Sequence, residues 1–489
     1  MSKSTLDRVI SREMGAVVGA KQYLLFLEGL PSVAPHAVLT DEDGARALVI
    51  GFDAAQVKAV LLDNVPVKVG HQFFWENQGL RVPRAEALLG RIVNPVGISL
   101  DEGSDPSPGE SLLAFEVVAP GIGARKEITE QFVTGVALID TLLPIGKGQR
   151  ELIIGPARSG KVTFVRDVIV NQRGRGTICV YAAIGKPAVT IKRFAEDLAA
   201  HGAADYTIIV AAVAGAPTPL VTLVPDMAFA IAEQYVRGGK NVVLILDDLA
   251  THAKYVRELS LLSGQTPGRE SYPGDIFYRH AHLMKRAGNF APEAGGGSMT
   301  LLPLLETDLE SMTNLIPTNA MASTDGHLFF SPERRAQGQY PAVEVARSVT
   351  RVGRRTQFRA QKELADRIVA LLSMYEERRT YSRFGAELSL ETKRTLIQAE
   401  IVLELLKQEP GMFIDPRAET VALALPFTAF FGDRTATFVR GCKPHLIEAI
   451  TTLPEGKALF DLIETGVTLD EFLAALHTRL APFAKVCRL

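Results

Sequence analysis

The chain has 489 residues, 47% of them hydrophobic and 22% charged, and its formal net charge at pH 7 is −2. This length predicts about three domains, and the composition excludes a disordered chain because it supplies enough apolar residues for several cores. The small net charge excludes an overall field that would attract nucleic acid or an anionic membrane surface, so any polyanion must be bound locally.

The N-terminus and the cysteines limit where the chain works. The opening MSKSTLDRVISREMG lacks an apolar core flanked by a basic start and a cleavage site, so we expect no secretory signal and an intracellular chain. The most apolar stretch is interrupted by prolines, and we expect no membrane span. Cys179, Cys442 and Cys487 are odd in number and widely spaced, which favours reduced structural thiols over disulfides or a zinc site.

The first predicted elements are short strands between Gly15 and about Phe74. The apolar runs in this part are AVVGA, YLLFLEG, HAVLT, ALVIGF, VKAVLL and VPVKVG. Such runs separated by turn residues predict a small antiparallel β-barrel. The stretch Pro95–Leu112 follows, rich in Pro, Gly, Asp and Ser, and predicts an exposed connector.

From Glu151 apolar strands alternate with amphipathic helices. The strand-like runs are ELIIG, TICVYAAI, DYTIIVAAV and NVVLILDD. This alternation predicts a parallel sheet covered by helices, and after about Gln357 every periodic segment is helical. The predicted organisation is a multidomain α/β protein with a β-barrel at 1–78, a nucleotide-binding-type α/β domain at 79–357 and a helical domain at 358–489.

A glycine-rich loop lies between the run ELIIG and the helical segment VTFVRDVIVNQ. Backbone N–H groups at such a helix start bind phosphate oxygens, and the loop lysine adds a positive charge. The candidate phosphate-binding residues are Gly155, Pro156, Ala157, Arg158, Ser159, Gly160 and Lys161, followed by Val162 and Thr163. The alternative is a glycine-rich turn that serves tight packing only.

The residue after the loop lysine decides whether the loop can hold magnesium. In the phosphate-binding motif this residue is Ser or Thr, whose hydroxyl ligates Mg²⁺, but here it is Val162. Thr163 is one position late, which on a helix is a rotation of about 100°, so we expect its hydroxyl to point away. The run NVVLILDD ends in Asp247 and Asp248, where such folds place an acid facing the metal; the alternative is a solvated loop.

Several segments together closely resemble the alpha subunit family of F-type ATP synthases, in one order over most of the chain. They are TGVALIDTLLPIGKGQRELIIG, PGRESYPGDIFYRHAHLMKRA, GGGSMTLLPLLET, IPTNAMASTDG and SVTRVG. The resemblance implies three domains: an N-terminal barrel, a central RecA-like P-loop domain and a helical C-terminal domain. It also implies ATP or ADP with Mg²⁺ as cofactors, and no nucleic acid partner.

The resemblance further implies how such a chain works. Three alpha and three beta subunits alternate in a ring around a central gamma shaft, with stator subunits, at the cytoplasmic face of a bacterial inner membrane. ATP is made or cleaved at the beta sites, coupled to ions, in most members protons, that cross a separate membrane sector. Catalytic beta subunits carry a glutamate base after the second core strand, where this chain has Lys186, which cannot accept a proton.

The segment SVTRVG carries the residue expected to act in catalysis. By resemblance Arg351 is the arginine finger that reaches the neighbouring beta site, and Ser348 matches a serine linked to activity. A finger supplied by a neighbour raises turnover by roughly 10³-fold or more. Several further arginines surround it, namely Arg347, Arg354, Arg355 and Arg359. Such a cluster indicates an interface or a solvated face, and nucleic-acid binding is the alternative.

The chain departs from the family at its own nucleotide site. Besides Val162, it has Pro156 where the family has Asp, Tyr340 where the family has Arg, and Gln408 followed by Glu409 and Pro410 where the family has Gln-Gly-Gln. We therefore expect this site to bind Mg-ATP weakly or to stay empty, with no metal ligand assigned.

Three other interpretations remain open at this point. A catalytic homohexamer, such as a flagellar or type III secretion ATPase or an RNA-translocating helicase, would need the loop hydroxyl and the glutamate. A scaffold that only holds a ring together would not need Arg351. The short N-terminus, finally, would suit the alternative F-type ATPases that some bacteria carry besides their main synthase, some of which are thought to pump sodium.

Overall fold

A computed structural model of the chain describes residues 13–53, 56–113, 119–382 and 390–487. Most of the N-terminal segment, for which the sequence predicts no secretory signal and a short extension, lies outside the described residues. The chain divides into two compact units. The first comprises the residues up to Lys126 and Arg173–Thr324, and the second comprises Glu127–Gln172 and the residues from Asp325 onward.

The order of elements follows the predicted barrel, α/β and helical segments. The strands are β1 Glu13–Lys21, β2 Leu24–Glu28, β3 Ala37–Thr40, β4 Arg46–Phe52, β5 Val57–Leu61, β6 Gln72–Gly79, β7 Arg81–Pro83, β8 Ile92–Val93, β9 Pro108–Leu112, β10 Gln131–Phe132, β11 Ile145–Gly146, β12 Glu151–Gly155, β13 Thr177–Lys186, β14 Thr207–Val213, β15 Asn241–Asp247, β16 Gly288–Asn289, β17 Ser298–Glu306, β18 Gly326–Phe329 and β19 Val349–Thr350. The α-helices are Ala137–Leu142, Lys161–Val170, Ala188–Ala200, Thr218–Thr222, Val224–Arg237, Leu249–Leu262, Ile276–Lys285, Leu315–Ser323, Pro332–Ala336, Arg359–Ser382, Leu390–Leu406, Pro416–Ala424, Ala436–Thr452, Pro454–Glu464, Leu469–His477 and Leu480–Cys487.

The first six strands of the first unit form a closed antiparallel barrel in the order β1-β2-β5-β4-β3-β6. Alternate residues point inward, so Leu25 and Leu27 on β2 and Ala47 and Val49 on β4 are fully buried in one core. Trp75 on β6 is partly buried and packs against this core. The predicted barrel is confirmed.

The sixth strand of the barrel differs from the prediction. The run VPVKVG is a loop, and the strand that closes the barrel is β6, which pairs with both β1 and β3. Pro66 has no N–H to donate to a ladder, and Val65 and Val69 are 39% and 71% exposed. An alternation of valines therefore looked like a strand although only one of them, Val67, packs on the core.

The connector after the barrel is also more ordered than expected. Its last five residues form β9, which pairs antiparallel with β7, and Pro83 lies opposite Pro108. A two-stranded ribbon tolerates proline because each strand has an unpaired edge. Pro108, Ser111 and Leu112 are nevertheless exposed, as the connector prediction expects, so the difference is the strand pairing and not the exposure.

The rest of the first unit contains the parallel strands. Their order is β8-β14-β13-β15-β17, each parallel to its neighbours, and β16 pairs antiparallel with β17. Nearly every residue of β14 and β15 is buried, as expected for strands covered on both faces. The helix Val224–Arg237 packs against β13, β14, β15 and β17.

The second unit contains the glycine-rich loop and the C-terminal helices. Strand β12 pairs parallel with β18, and β18 pairs antiparallel with β19. From Arg359 onward the described secondary structure is helical, and the helix Ala436–Thr452 packs against Leu390–Leu406 and Leu480–Cys487. The predicted fold class is confirmed, whereas the boundaries at residues 78 and 357 stay predictions.

Among the helices in the described ranges, none has both the length and the apolarity to cross a membrane. Cys179, Cys442 and Cys487 are free and buried.

Two histidines form a buried pair in the first unit. His252 Nδ1 lies 3.0 Å from His280 Nε2, and His252 Nε2 lies 3.2 Å from the Thr222 carbonyl oxygen. Because a carbonyl only accepts, His252 donates from Nε2 and accepts at Nδ1, so His280 donates from Nε2. Burial, reinforced by the positive charge of Arg279, lowers the pKa of His280 to about 4 and holds the pKa of His252 well below its usual range.

This pair makes stability depend on pH. A histidine whose pKa is lowered by folding resists protonation, so the free energy of unfolding is highest above the unfolded pKa of about 6.5 and falls as the pH drops toward the folded value. We expect the urea midpoint of His280→Gln to change less between pH 6.5 and 4 than that of the wild type. The control is His477→Gln at an exposed histidine, whose urea midpoint should change with pH as that of the wild type does. An equal pH dependence of the wild type and His280→Gln would contradict the lowered pKa of His280.

Candidate functional site

The glycine-rich loop has the predicted strand–loop–helix context. Strand β12 ends at Gly155, and the helix begins at Lys161, directly after Gly160. Gly160 has a φ of 102°, a conformation that side-chain-bearing residues rarely adopt. The loop therefore turns sharply into the helix, which presents backbone N–H groups at the helix start.

The side chain of Lys161 folds back over the loop that precedes it. Its Nζ donates to the carbonyl oxygens of Gly155 at 2.8 Å and Pro156 at 2.6 Å, and it lies 3.4 Å from Ser159 Oγ. Only 6% of Lys161 is exposed. Arg158 has a positive φ of 59°, and its carbonyl accepts from Arg335. Lys161, Arg158 and Arg335 thus place positive charge around the loop, although the net charge of the whole chain is slightly negative.

A hydrogen-bond network joins this helix to Tyr340. Asp167 accepts from the Tyr340 hydroxyl, from Gly411 N at 3.0 Å and from the adjacent Arg166 at 2.8 Å. Burial and the Asp167 charge raise the pKa of Tyr340 well above its ordinary value, so the phenol stays a donor. Sequence reasoning identified Tyr340 as a departure but missed Asp167, because an acid within a helix gives no signal of its partner.

The side-chain amide of Gln408, in the second unit, hydrogen-bonds to backbone groups of two separate segments. Its side-chain oxygen accepts from Ala137 N at 2.8 Å, and its side-chain nitrogen donates to Gly135 O at 2.8 Å and Met412 O at 2.5 Å. The side chain is buried, with 7% of the residue exposed. Its amide groups are already bonded to the chain, so a contact with a nucleotide stays a prediction that this geometry does not favour.

The carboxylate pair of the first unit is bound by a lysine. Lys186 Nζ lies 2.7 Å from Asp247 Oδ1 and 3.1 Å from Asp248 Oδ2. Asp247 also accepts from Tyr181 at 2.5 Å, and Asp248 accepts from Thr251 N at 2.7 Å as the N-cap of its helix. Burial alone would lower the pKa of Lys186, but the two carboxylates raise it, so the side chain is an ammonium ion at neutral pH.

Neither the loop of the second unit nor the acidic pair of the first unit offers the free oxygen ligands that a magnesium ion needs. In the second unit, Val162 follows the loop lysine with no hydroxyl and is 43% exposed. In the first unit, Lys186 pairs with both Asp247 and Asp248 and offsets one of their two negative charges. Groups of three or more His, Cys, Asp and Glu side chains that could hold a metal are absent from the described residues. The residues present do not fit a magnesium ion of the kind that the motif implies.

Arg351 is exposed on a tightly held segment of the second unit. Its backbone N–H donates to Asp325 O at 3.2 Å, and Thr350 Oγ1 donates to Pro144 O at 2.8 Å. Gly353 packs so closely that a Cβ atom there would lie 1.6 Å from Pro144 O. Only glycine fits at this position, so the backbone around Arg351 has little freedom to move.

Arg351 differs from the arginines that crowd it. Arg347 lies over the Phe329 ring at 3.9 Å, Arg354 pairs with Asp366, Arg355 lies 3.7 Å from Glu127, and Arg359 lies 2.9 Å from Glu363. Among the residues that the structure describes, no carboxylate lies within ion-pair distance of Arg351. Its positive charge acts on the buried Glu151 only at longer range, where it opposes the larger effect of burial, which raises the pKa of that carboxyl.

Ser348 holds the strand that leads to Arg351. Its Oγ accepts from Phe329 N at 2.9 Å and donates to Glu344 O at 2.7 Å. The residue is 9% exposed. The hydroxyl thus fixes β19 against β18, which is a positioning role rather than a contact with a reacting group.

Comparison with known proteins places the chain among named relatives. A model of the ATP synthase alpha/beta family, nucleotide-binding domain, matches residues 135–350, and a model of the ATP synthase alpha/beta chain, C terminal domain, matches residues 357–481. The chain is 36% identical to "ATP synthase subunit alpha 2" of Syntrophotalea carbinolica over 92% of this chain and 86% of that protein. It is 35% identical to "ATP synthase subunit alpha" of Limosilactobacillus fermentum over 96% of this chain and 94% of that protein. It is 34% identical to the Clostridium botulinum protein of the same name over 97% of this chain and 94% of that protein.

Proposed function

We propose that this chain, which belongs to the ATP synthase alpha/beta family, is a non-catalytic alpha-type subunit of a rotary F-type ATP synthase. The proposal is supported by its resemblance to alpha subunits over nearly its whole length. In this role it supplies Arg351 as an arginine finger to the catalytic site of a neighbouring beta subunit. Synthesis or hydrolysis of ATP at that site is coupled to ion transport across the membrane.

The observation that carries the proposal is the state of Arg351. An exposed guanidinium with no carboxylate within ion-pair distance in the described part of the chain, on a backbone fixed by Pro144 and Asp325, suits a residue that completes another subunit's site. Charge that develops on a transferring phosphoryl group is stabilised by a planar guanidinium held in place before the reaction. The direct test is ATP turnover by the reconstituted complex carrying Arg351→Ala.

The chemistry at this chain's own site supports a non-catalytic role. The position at which beta subunits carry the glutamate base is Lys186, and its ammonium group is paired with Asp247 and Asp248. A protonated amine has no lone pair with which to activate water. A catalytic homohexamer would need this base within the chain, so the alternative is not favoured.

The partners and location follow from the same proposal. The chain alternates with beta subunits in a three-plus-three ring around a gamma shaft, contacts stator subunits, and lies at the cytoplasmic face of a bacterial inner membrane. The transported ion is the proton in most such complexes. We assign Gln408 and Ser348 to holding the chain's own backbone, because their side chains are bonded within it.

We expect the isolated chain to bind Mg-ATP weakly. The loop lacks the hydroxyl at Val162, and Lys161 would have to leave the carbonyls of Gly155 and Pro156 to reach a phosphate. Equilibrium dialysis of the purified chain should show no retention at submicromolar Mg-ATP, and Lys161→Gln should abolish whatever weaker binding remains. Submicromolar retention by the wild-type chain would contradict the expectation.

A further inference from the structure

The carboxylates at the end of β15 are unusual because the chain supplies their counter-charge. The side chains of Asp247 and Asp248 are only 5% and 7% exposed, and that of Lys186 is 22% exposed. Two adjacent carboxylates buried to this extent require a cation, since their mutual repulsion is poorly screened away from water. In nucleotide-binding proteins a divalent metal is a common solution.

All four carboxylate oxygens already accept hydrogen bonds from the chain. Asp247 uses one oxygen for Lys186 and the other for Tyr181. Asp248 uses one oxygen for Thr251 N and the other for Lys186 and for Thr251 Oγ1 at 3.0 Å. An incoming metal ion would have to displace a charged donor, and the ammonium group would then lie beside a divalent cation.

We propose that Lys186 is a built-in cation that takes the place of a divalent metal at Asp247 and Asp248, so that this acidic pair binds no Mg²⁺. The inference rests on the proposed function, in which ATP is turned over at the neighbouring beta site and not at this acidic pair. Any nucleotide that this chain holds is then bound as a polyphosphate anion without metal contact to the pair.

The test measures the metal alone, on the full-length chain without nucleotide. Mn²⁺ binding is followed from the electron paramagnetic resonance signal of the free ion for the wild type, Lys186→Gln and the control Lys192→Gln. Lys192 is an exposed lysine in the helix that follows β13, so its substitution removes the same charge at the surface. We expect Lys186→Gln to bind Mn²⁺ at least about 10-fold more tightly than the other two, because two uncompensated carboxylates attract a dication.

Two further measurements make the outcome decisive. Adding Asp247→Asn to Lys186→Gln should remove the gained site, which locates it at the pair. Unchanged Mn²⁺ affinity in a folded Lys186→Gln chain would overturn the proposal. Should that variant not fold, the wild type and Asp247→Asn decide. The Tm of the wild type should be equal in Mg²⁺ and in a chelator, and a Mg²⁺-dependent rise in Tm that Asp247→Asn abolishes would overturn the proposal.

This experiment is independent of the ring. It needs neither a beta subunit nor ATP turnover, so a failure of Arg351 to act in catalysis would leave its result unaffected. Conversely, a metal found at Asp247 would leave the role of Arg351 intact.

Discussion

A complex reconstituted with Arg351→Ala should turn over ATP about 10³-fold more slowly than the wild-type complex, because the transferring phosphoryl group loses its guanidinium partner. A loss of this size corresponds to about 4 kcal/mol in activation free energy. The KM for ATP should change much less, since the finger acts on charge that develops in the transition state. The measurement is steady-state ATP hydrolysis by the ring with beta and gamma subunits.

Two variants separate the finger from general effects of charge. Arg351→Lys keeps the positive charge but loses the planar two-pronged donor, so we expect it to recover only part of the activity. Arg355→Ala is the matched control, because Arg355 lies four residues away with 72% of its side chain exposed, beside the exposed Glu127. Turnover by Arg351→Ala within twofold of the wild type would favour a scaffold that merely holds the ring together.

Replacing Arg286 by methionine should lower the free energy of unfolding of the first unit by about 3–5 kcal/mol, because a buried ion pair would lose one partner. The Arg286 side chain is only 3% exposed, and its Nε lies 2.7 Å from Glu233 while Nη1 lies 3.7 Å from Asp226. It also lies 4.9 Å above the Phe229 ring. Urea unfolding followed by circular dichroism should show the loss as a lower midpoint.

The same glutamate provides the control. Arg237 also pairs with Glu233, at 3.6 Å, but its side chain is 68% exposed, so Arg237→Met should cost less than about 1 kcal/mol. The double variant Arg286→Met with Glu233→Gln should be destabilised by less than the sum of the single changes, since it leaves one fewer unpaired charge. Equal midpoints for Arg286→Met and Arg237→Met would show that burial does not set the cost.

The sequence predicted those parts of the fold that depend on local pattern. Short apolar runs bounded by turn residues identified β2 and β4, and longer continuous apolar runs identified β14 and β15, because buried strands are built from apolar residues. The loop VPVKVG shows the limit of this reasoning. Whether a valine run forms a strand depends on backbone partners that are distant in the chain, and here β1 and β3 pair with β6 instead.

The same limit applies to the site. The identity of Lys186 was enough to exclude a catalytic base, but not to show its pairing with residues about sixty positions later. That pairing follows from the register of β13 and β15, which places Ala183 opposite Asp247 and so brings the ends of both strands together. Gln408 is a similar case, since its partners at Gly135 and Ala137 are contributed by a segment before the loop. The resemblance to the alpha subunit family, by contrast, is confirmed by relatives that match most of the chain.

The barrel carries its own optical signal. The chain has a single tryptophan, Trp75, and its ring packs against the barrel core. Its fluorescence therefore reports the environment of the barrel, whereas far-ultraviolet circular dichroism is dominated by the helices of the remaining chain. Different denaturant midpoints for the two signals would identify the barrel as a separately opening cooperative segment, observable in the full-length chain without any added label.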